Sequence, residues 1–494
     1  MGRFSPSWRG AVVMAPAALA LAAGLWDLAA PPVWRDEAAT VSAAGRTLPE
    51  MLHLLRGVDA VHGLYYLLMH VVIGLFGTGE AALRLPSVIA GALGAAGVCA
   101  LGRSLGAPRA GLYGGVLLAV MPVFSRYAQD ARPYALTMAA TVGVTLLLLR
   151  AVRRGSDAAF ALYAVALAGL AYLNLFAFLV TAAHGVFVAL SRGPLLRWCA
   201  FALPALAAVA PLAWVASRQS AQVGWIARPD ASDTGMLAVQ LFGDLFLGHG
   251  ALTPAWLGLA PLAWLLALLG IRARAVRTRP DVRRRGGHRG AGALVRLAVP
   301  WLTIPPLALL AVSWAGHPVY EFRYVFCCVP AAALLAGAGL AALPRGVAVA
   351  ALAAGICLSI PGQLATRGPD GRQDDPGPIM AVLASAARPG DAVMFQPPKV
   401  RKYAVVYPDV FARLDDVALA RSPRADGSFA GRQVGVRVLP ARLSGIRTLW
   451  VVGHTGKART PNRRLDLVRR DFRPTGRWTS RGMFVTRYDR APGR

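Results

Sequence analysis

The sequence is short of cysteine and of acidic residues. Its five cysteines all lie in apolar runs, and none forms a Cys-x-x-Cys pair. This pattern excludes a disulfide framework and a thiolate metal site, so the cysteines are predicted to be small buried hydrophobes. Acidic residues number 24 against 53 basic ones, which gives a net charge of +29. No helix-turn-helix, RNA-binding or zinc signature accompanies this charge, and we predict no nucleic-acid partner.

Charge is also nearly absent from long stretches of the chain. Hydrophobic residues make up 56% of the sequence, against about 45–50% in a soluble protein. A helix needs about 20 apolar residues to cross the hydrocarbon core. The sequence therefore predicts a mainly α polytopic membrane protein in contact with membrane lipids. Its apolar runs lie near residues 11–30, 64–77, 86–102, 109–125, 133–149, 158–174, 176–190, 199–217, 251–271, 295–315, 324–342 and 346–361.

Loop charges predict the topology. Segment 271–296 contains nine arginines and one acid, Asp281, and such a segment is expected on the cytoplasmic side. If the N-terminus is also cytoplasmic, the other arginine-rich loops all fall on the cytoplasmic side only if run 64–77 does not cross the membrane. This run has 14 residues, a length more typical of an interfacial or re-entrant segment. We therefore predict about 11 transmembrane helices, with 31–85 as a large extracytoplasmic first loop.

The character of the chain changes after residue 361. We predict a transmembrane domain over 1–361 and a small extracytoplasmic α/β domain over 362–494. The segment "GPDGRQDDPGP" has the composition of a polar linker. Residues 390–395 and 448–453 are predicted to be buried strands, and residues 462–472 are predicted to be a helix. The second domain has no Gly-rich phosphate loop, and no catalytic constellation is recognised in it. Its 25 basic residues against 11 acidic ones would hold an anionic envelope polymer or lipid headgroups, or form a solvated surface.

Four polar clusters are predicted to share the extracytoplasmic face. Ionisable groups at membrane depth are costly and are candidates for function. The alternatives are snorkelling arginines, aromatic-belt tyrosines, a helix-capping histidine and an ordinary loop acid. The clusters are Trp34-Arg35-Asp36-Glu37; Asp59 with His62; Arg126, Tyr127, Gln129, Asp130, Arg132 and Tyr134; and His317, Tyr320, Glu321, Arg323 and Tyr324.

This combination of residue types suits transfer from a lipid phosphate. Arginines bind the oxygens of a phosphate diester through charge-assisted hydrogen bonds. A carboxylate can take the proton of an acceptor hydroxyl while its oxygen attacks the anomeric carbon of a sugar. A cavity open to the bilayer would admit a long isoprenoid tail.

The ordered motifs "WRDEA", "DAVHGLYY", "ALRLPS", "SRYAQDARPYAL" and "RYVFCCVPA" resemble one family. They are similar to those of the bacterial C-type (GT-C) glycosyltransferases, the protein O-mannosyltransferase-like and aminoarabinose-transferase-like enzymes (glycosyltransferase family 39-like). The resemblance extends over roughly residues 10–360. It implies an inverting transfer from a polyprenyl-phosphate sugar in the bacterial cytoplasmic membrane, with no cofactor, no bound metal and at most a weak requirement for a divalent cation.

The resemblance also implies roles for individual residues. Asp36 would be the catalytic base, and Glu37 would support it or orient the acceptor. Arg323 and Tyr324 would bind the lipid phosphate. The remaining predicted substrate-binding residues are Asp59, His62, Arg126, Tyr127, Asp130, Arg132 and Tyr134.

One departure from the family bears on the donor. Many relatives have His-Pro-Pro-Leu or Glu-Lys-Pro-Pro where this chain has His62-Gly63-Leu64. A lysine contact of the aminoarabinose-transferase type is therefore absent at this position, which favours a mannosyl or other hexosyl donor. The acceptor hydroxyl, on a protein, a polysaccharide or a lipid, is left open.

Two other classes of function remain as alternatives. A lipid-linked sugar flippase or transporter would need charged or broken helices at mid-membrane, whereas the predicted spans are mostly uncharged and no internal repeat is apparent. A non-catalytic envelope-assembly protein or sensor would use the C-terminal domain to bind cell-wall material. Asp36→Asn separates these from an enzyme, because only catalysis needs the base.

Overall fold

The computed structural model describes residues 6–243, 259–277, 288–368, 371–455 and 463–491. Four predicted features lie partly outside these ranges: residues 251–258 of the apolar run 251–271, residues 278–287 of the arginine-rich segment, residues 369–370 of the polar linker and residue 462 of the helix 462–472. The described chain is mainly helical and ends in a small sheet domain. The predicted fold class is therefore confirmed.

The α-helices of the described residues include those of the predicted apolar runs and several shorter ones outside the runs. They are α1 (Pro6–Leu25), α2 (Arg35–Ala44), α3 (Leu48–Gly57), α4 (Gly63–Phe76), α5 (Glu80–Ser104), α6 (Pro108–Val120), α7 (Pro122–Ala128), α8 (Tyr134–Arg154), α9 (Asp157–Leu173), α10 (Val180–Leu190), α11 (Leu195–Arg218), α12 (Ala231–Leu241), α13 (Leu259–Arg277), α14 (His288–Trp314), α15 (Phe322–Val325), α16 (Val329–Ala342), α17 (Arg345–Arg367), α18 (Gly377–Ala386), α19 (Tyr403–Val406), α20 (Pro408–Phe411), α21 (Pro423–Asp426), α22 (Leu439–Leu443) and α23 (Arg463–Asp471). Short 3₁₀ helices include Ala60–His62, Leu175–Leu179, Ser220–Val223, Phe326–Cys328 and Pro398–Lys402.

Several helices have the length and composition of membrane spans. Within the described ranges six qualify, or seven if α6 and α7, which are bent by 66° to each other, form one broken span. Shorter apolar helices include Val13–Leu25, Asp157–Leu173, Leu175–Leu190 and Leu259–Ala273. The protein is thus a multi-pass membrane protein. The count of about 11 crossings is not confirmed and stays a prediction.

The chain divides into two compact units. The first comprises Met1–Leu28, Val61–Tyr65 and Arg84–Arg367, and the second comprises Ala29–Ala60, Tyr66–Leu83 and Gly368–Arg494. The greater part of the predicted first loop therefore folds with the C-terminal segment. The assignment of 1–361 to the membrane and of 362–494 to the extracytoplasmic side stays a prediction.

Two arginines, Arg367 and Arg84, fix the ends of helices in the first unit. The Arg367 guanidinium donates from Nε to the carbonyl of Trp26 over 2.9 Å and from Nη2 to that of Ala23 over 2.5 Å, and it lies 4.2 Å from the Trp26 ring centroid. These contacts join the C-terminal end of α1 to that of α17. Arg84 likewise donates to the carbonyl of Leu28 over 2.8 Å. Helix α17 thus continues to Arg367, six residues past the predicted end of the last span at 361.

Long-range hydrogen bonds connect the first-loop helices of the second unit to its C-terminal segment. Arg46 donates to the carbonyls of Ser42 (3.0 Å) and Ser428 (2.6 Å), and Arg424 donates to that of Gly45 (3.1 Å). Asp374 belongs to the predicted polar linker but is fully buried. The described part of the linker, residues 371–378, is therefore packed into the unit and is not a solvated connection.

The C-terminal segment contains a five-stranded sheet of order β2-β1-β5-β7-β6. Its strands are β1 (Ala392–Gln396), β2 (Asp415–Asp416), β5 (Thr448–His454), β6 (Phe472–Ser480) and β7 (Met483–Arg490), while β3 (Leu419–Arg421) and β4 (Arg432–Gln433) form a separate pair. Strands β1 and β5 are parallel and nearly continuously buried, as their unbroken apolar sequences predict. Strand β6 contains Pro474 and lies at the edge, where a missing N–H is tolerated.

Candidate functional site

The third polar cluster is positioned by a break between two helices of the first unit. Helix α6 ends at Val120, and α7 starts again at Pro122 at an angle of 66°, with proline at the first helical position where its fixed φ is favourable. Arg126 and Tyr127 lie on α7. The short connection that follows leads to Tyr134 at the start of α8.

This connection is held by buried hydrogen bonds. Gln129 donates through Nε2 to the carbonyls of Gly24 (3.0 Å) and Trp26 (2.6 Å), and Ser87 Oγ donates to the carbonyl of Asp130 (2.7 Å). Arg126 Nη1 lies 3.2 Å from Asp130 Oδ2, and Asp130 is fully buried. Gln129 and Asp130 therefore stabilise the connection, and Asp130 orients Arg126.

Tyrosines surround these arginines in the first unit. The Tyr127 ring packs edge-on to Tyr134 with centroids 5.3 Å apart, and its centroid lies 4.6 Å from that of Phe326. The ring centroids of Tyr324 and Phe176 lie 4.9 Å apart. Arg323 lies 5.2 Å from the ring centroid of Trp225. The predicted second-loop and late-span motifs are thus brought together.

Three arginines lie beside this aromatic group or in the connection next to it. Arg126 Cζ is 5.7 Å from the Tyr127 ring centroid, and Arg323 Cζ is 5.7 Å from that of Tyr324. Arg132 donates through Nη2 to His62 Nε2 over 3.0 Å, which assigns the proton of a neutral His62 to Nδ1. We name this set of Arg126, Arg132 and Arg323 the arginine triad. It can bind an anion with several N–H donors.

The acid pair lies in the second unit, in the first turn of α2. Asp36 is half-buried, whereas Glu37 is fully buried. Glu37 Oε2 accepts the backbone N–H of Trp34 over 3.4 Å, which is one half of a capping box. The structure therefore gives the two acids different environments. Glu37 stabilises the start of the helix, whereas Asp36 is partly accessible, and its role as a base stays a prediction.

Asp59 lies in the second unit, in the turn after α3. Its φ is +55°, a left-handed conformation that Asp tolerates better than most residues. Tyr66 donates its hydroxyl proton to Asp59 Oδ2 over 2.7 Å. Asp59 therefore has a structural role at the start of α4. Its predicted contact with substrate stays a prediction.

A group of ionisable residues around the start of α2 was not predicted from the sequence. Asp374 Oδ1 accepts from Arg35 Nε over 3.0 Å and from the Arg35 backbone N–H over 3.3 Å, while Asp374 Oδ2 accepts from the Tyr403 hydroxyl. Lys402 is 9% exposed and His454 Nδ1 lies 3.9 Å from Asp374 Oδ2. We call Arg35, Asp374, Lys402, Tyr403 and His454 the α2 anchor. The only hint in the sequence is a lysine in a chain whose basic residues are almost all arginine.

Burial perturbs the protonation of two groups in the α2 anchor. It lowers the pKa of Lys402 to about 8, against the opposing attraction of Asp36 and Asp374. Burial and the charge of Arg35 lower the pKa of His454 to about 4. At pH 7 Lys402 is therefore mostly charged, and His454 is neutral with Nδ1–H donating to the carbonyl of Gly482.

Loss of the Asp374 carboxylate should loosen α2. Asp374→Ala leaves the Arg35 side chain and backbone N–H without their acceptor and costs about 3 kcal/mol. We expect the amide hydrogens of α2 to exchange about 100-fold faster, measured by mass spectrometry on the full-length protein in lipid. Asp409→Ala, the same change at an exposed position, is the control. Equal α2 exchange in both variants would contradict this role.

No group of three or more His, Cys, Asp or Glu side chains that could hold a metal ion occurs among the described residues. The predicted absence of a bound metal remains to be measured.

Comparisons with known proteins agree with this architecture. Residues 64–218 match the family model described as dolichyl-phosphate-mannose-protein mannosyltransferase. The structure is similar to ArnT from Cupriavidus metallidurans, bound to undecaprenyl phosphate (TM-score 0.58, 14% identity, 98% of each chain covered) and in the apo state (TM-score 0.59, 14% identity, 97% and 98% covered). It is also similar to the apo oligosaccharyltransferase of Archaeoglobus fulgidus (TM-score 0.51, 12% identity, 99% and 75% covered). No curated protein matches the sequence.

The fold is therefore that of the C-type membrane glycosyltransferases, and the predicted resemblance is confirmed. The family model matches residues 64–218, about a third of the chain.

Proposed function

We propose that this protein transfers a sugar, mannose or another hexose, from a polyprenyl-phosphate donor to a hydroxyl acceptor. The reaction takes place at the outer face of the bacterial cytoplasmic membrane, with the N-terminus cytoplasmic and the C-terminal domain extracytoplasmic. The arginine triad on its tyrosine-rich support carries this proposal, because such a concentration of donors in a multi-pass unit suits a lipid phosphate.

The arginine triad binds the phosphate diester of the donor. Each guanidinium offers several N–H donors in a fixed plane, which matches phosphate oxygens. Asp130 holds Arg126 by an ion pair of 3.2 Å, and His62 accepts a hydrogen bond of 3.0 Å from Arg132. These partners pre-orient two of the three cations. Tyr127, Tyr134 and Tyr324 complete the substrate-binding group.

Asp36 acts as the general base. Its carboxylate accepts the proton of the acceptor hydroxyl as the hydroxyl oxygen attacks the anomeric carbon. The bond between that carbon and the phosphate oxygen breaks, polyprenyl phosphate leaves with the electron pair, and the configuration inverts. The N-terminal turn of α2 favours a carboxylate at this position, and Glu37 supports it by capping the helix.

A known relative supports the choice of donor. ArnT from Cupriavidus metallidurans, whose fold this chain shares at 14% identity, has been determined bound to undecaprenyl phosphate. The match to a dolichyl-phosphate-mannose-protein mannosyltransferase model favours mannose over aminoarabinose.

A transfer assay tests the proposed function. The purified full-length protein in lipid is incubated with radiolabelled polyprenyl-phosphate-mannose and with a membrane and cell-wall extract as the pool of acceptors. We expect label to move into a hydroxyl-bearing acceptor and polyprenyl phosphate to be released in equal amount. Labelled donor that crosses the bilayer intact would instead indicate a flippase. A folded protein that consumes none of several hexose donors would contradict the proposal.

A further inference from the structure

An exposed tryptophan lies next to the arginine triad in the first unit. Trp225 is 54% exposed, and its ring centroid lies 5.2 Å from Cζ of Arg323. A ring that keeps more than half of its surface open beside a cation of the candidate site is available to a ligand. The other aromatic residues around the triad are half-buried or buried: Tyr127, Tyr134, Phe176, Tyr324 and Phe326.

We propose that Trp225 is the platform for the sugar of the donor, so that the hexose packs on the indole ring while the triad binds the adjoining phosphate. This inference rests on the proposed function and deepens it. It assigns recognition of the hexose to a residue outside the four polar clusters that the sequence predicted.

The distance between Trp225 and Arg323 suits a contact with the hexose. In the proposed donor the anomeric carbon is bonded to a phosphate oxygen, so the sugar ring begins directly beside the phosphate. A phosphate bound to the Arg323 guanidinium therefore holds the sugar within about one ring's width of that cation. The indole lies in the same range, because its centroid is 5.2 Å from Arg323 Cζ.

The chemistry around the indole fits a hexose better than an isoprenoid tail. A hexose presents a face of C–H groups that packs on the flat π-face of tryptophan, and its hydroxyls need polar partners. The connection 219–230, which contains Trp225, offers the side chains of Gln219, Ser220 and Gln222. Helix α11 ends before it, at Arg218. Trp225 therefore lies outside the predicted span 199–217, beside which a tail would run.

The connection holds Trp225 in place before a ligand binds. The Trp314 indole N–H donates to the carbonyl of Pro229 over 3.0 Å, and the backbone N–H of Ile226 donates to the carbonyl of Val223 over 2.9 Å. The side chain of Ile226 is buried. A sugar that packs on the neighbouring indole therefore has little further ordering to impose, which favours binding.

An exposed tryptophan has two other common roles. It can anchor a protein at the membrane–water interface, or it can hold an arginine by a cation–π contact. Trp214 on α11 is a matched control for both, because it is 59% exposed and its ring centroid lies 4.3 Å from Cζ of Arg218. Unlike Arg323, Arg218 does not belong to the triad.

Equilibrium binding of two ligands tests the proposal without any transfer. The dissociation constants of polyprenyl-phosphate-mannose and of polyprenyl phosphate are measured for the full-length protein in lipid. We expect Trp225→Leu to weaken binding of polyprenyl-phosphate-mannose by about tenfold, the size of an aromatic packing contribution, and binding of polyprenyl phosphate by less than about twofold. Trp225→Phe, which keeps a ring, should lose less, and Trp214→Leu should change neither constant.

Each alternative role gives a result that overturns the proposal. If Trp225 only holds Arg323, Trp225→Leu weakens both ligands by the same factor. If Trp225 is only an interfacial anchor, neither constant changes. A wild-type protein that binds polyprenyl phosphate but none of several polyprenyl-phosphate hexoses would also overturn it.

A spectroscopic measurement reads the wild-type side chain directly. Fluorotryptophan labels the 12 tryptophans, and Trp225→Phe and Trp214→Phe assign two of the ¹⁹F resonances. We expect polyprenyl-phosphate-mannose to move the Trp225 resonance beyond the shift that polyprenyl phosphate causes, with Trp214 unchanged. Equal shifts by both ligands would overturn the proposal. Sugar-dependent binding without transfer would instead contradict the proposed function alone.

Discussion

Asparagine at position 36 is expected to lower kcat for sugar transfer by about 10²- to 10⁴-fold, the usual contribution of a general base. The amide retains the size of the carboxylate but cannot accept the acceptor's proton. KM for the lipid donor should change little, because the phosphate contacts belong to the arginine triad. The measurement is steady-state transfer from radiolabelled polyprenyl-phosphate-mannose by the full-length protein in lipid.

Glu37→Gln is the matched control for Asp36→Asn. A glutamine oxygen can still accept the Trp34 backbone N–H that Glu37 accepts at 3.4 Å, so the start of α2 should persist. We expect kcat within a few-fold of wild type. Donor binding by Asp36→Asn, measured separately, shows that the variant is folded. If Glu37→Gln loses as much activity as Asp36→Asn, the base is not Asp36 alone.

The helices and central strands could be predicted because their signal is local. The long apolar runs 133–149 and 324–342 predict the helices α8 and α16. The segments 390–395 and 448–453, each with several consecutive apolar residues, overlap β1 and β5. Strands β6 and β7 were missed. The exposed Arg473 and Arg477 and the proline Pro474 obscure the alternation expected of β6, and β6 and β7 pair as a hairpin on β5, a contact that the local sequence does not show.

The candidate site was predictable only in part, because only some of its contacts join residues that are close in the sequence. Arg126, on α7, and Asp130, in the connection after it, are four residues apart, so their ion pair is a local contact within one sequence motif. Arg35 and Asp374 are separated by 339 positions, and Asp374 stands in a segment whose composition is that of a solvated linker. Nothing local signals that the segment is buried, because its burial depends on packing with the first-loop helices. The α2 anchor therefore appears only in the folded unit.

Glutamine at position 323 is expected to raise KM for the lipid donor by about 10- to 100-fold and to change kcat far less. Arg323 Cζ lies 5.2 Å from the Trp225 ring centroid and 5.7 Å from that of Tyr324, so its loss removes a guanidinium held within the aromatic group and its charge-assisted contacts to the phosphate. A hydrogen bond to a charged partner contributes about 1.5–3 kcal/mol, which corresponds to this change in affinity. The check is KM for polyprenyl-phosphate-mannose and Kd for polyprenyl phosphate in the same lipid preparation.

Two further variants decide whether charge or planar geometry is needed at this position. Arg323→Lys keeps the charge but not the guanidinium fork, and we expect its KM to lie between those of wild type and Arg323→Gln. Arg228→Gln makes the same change at an exposed arginine of the first unit and should leave KM unchanged. A large fall in kcat with unaltered polyprenyl-phosphate affinity in Arg323→Gln would contradict phosphate binding. It would instead assign Arg323 to stabilisation of the transition state alone, because only a contact absent from the ground state lowers kcat without weakening binding.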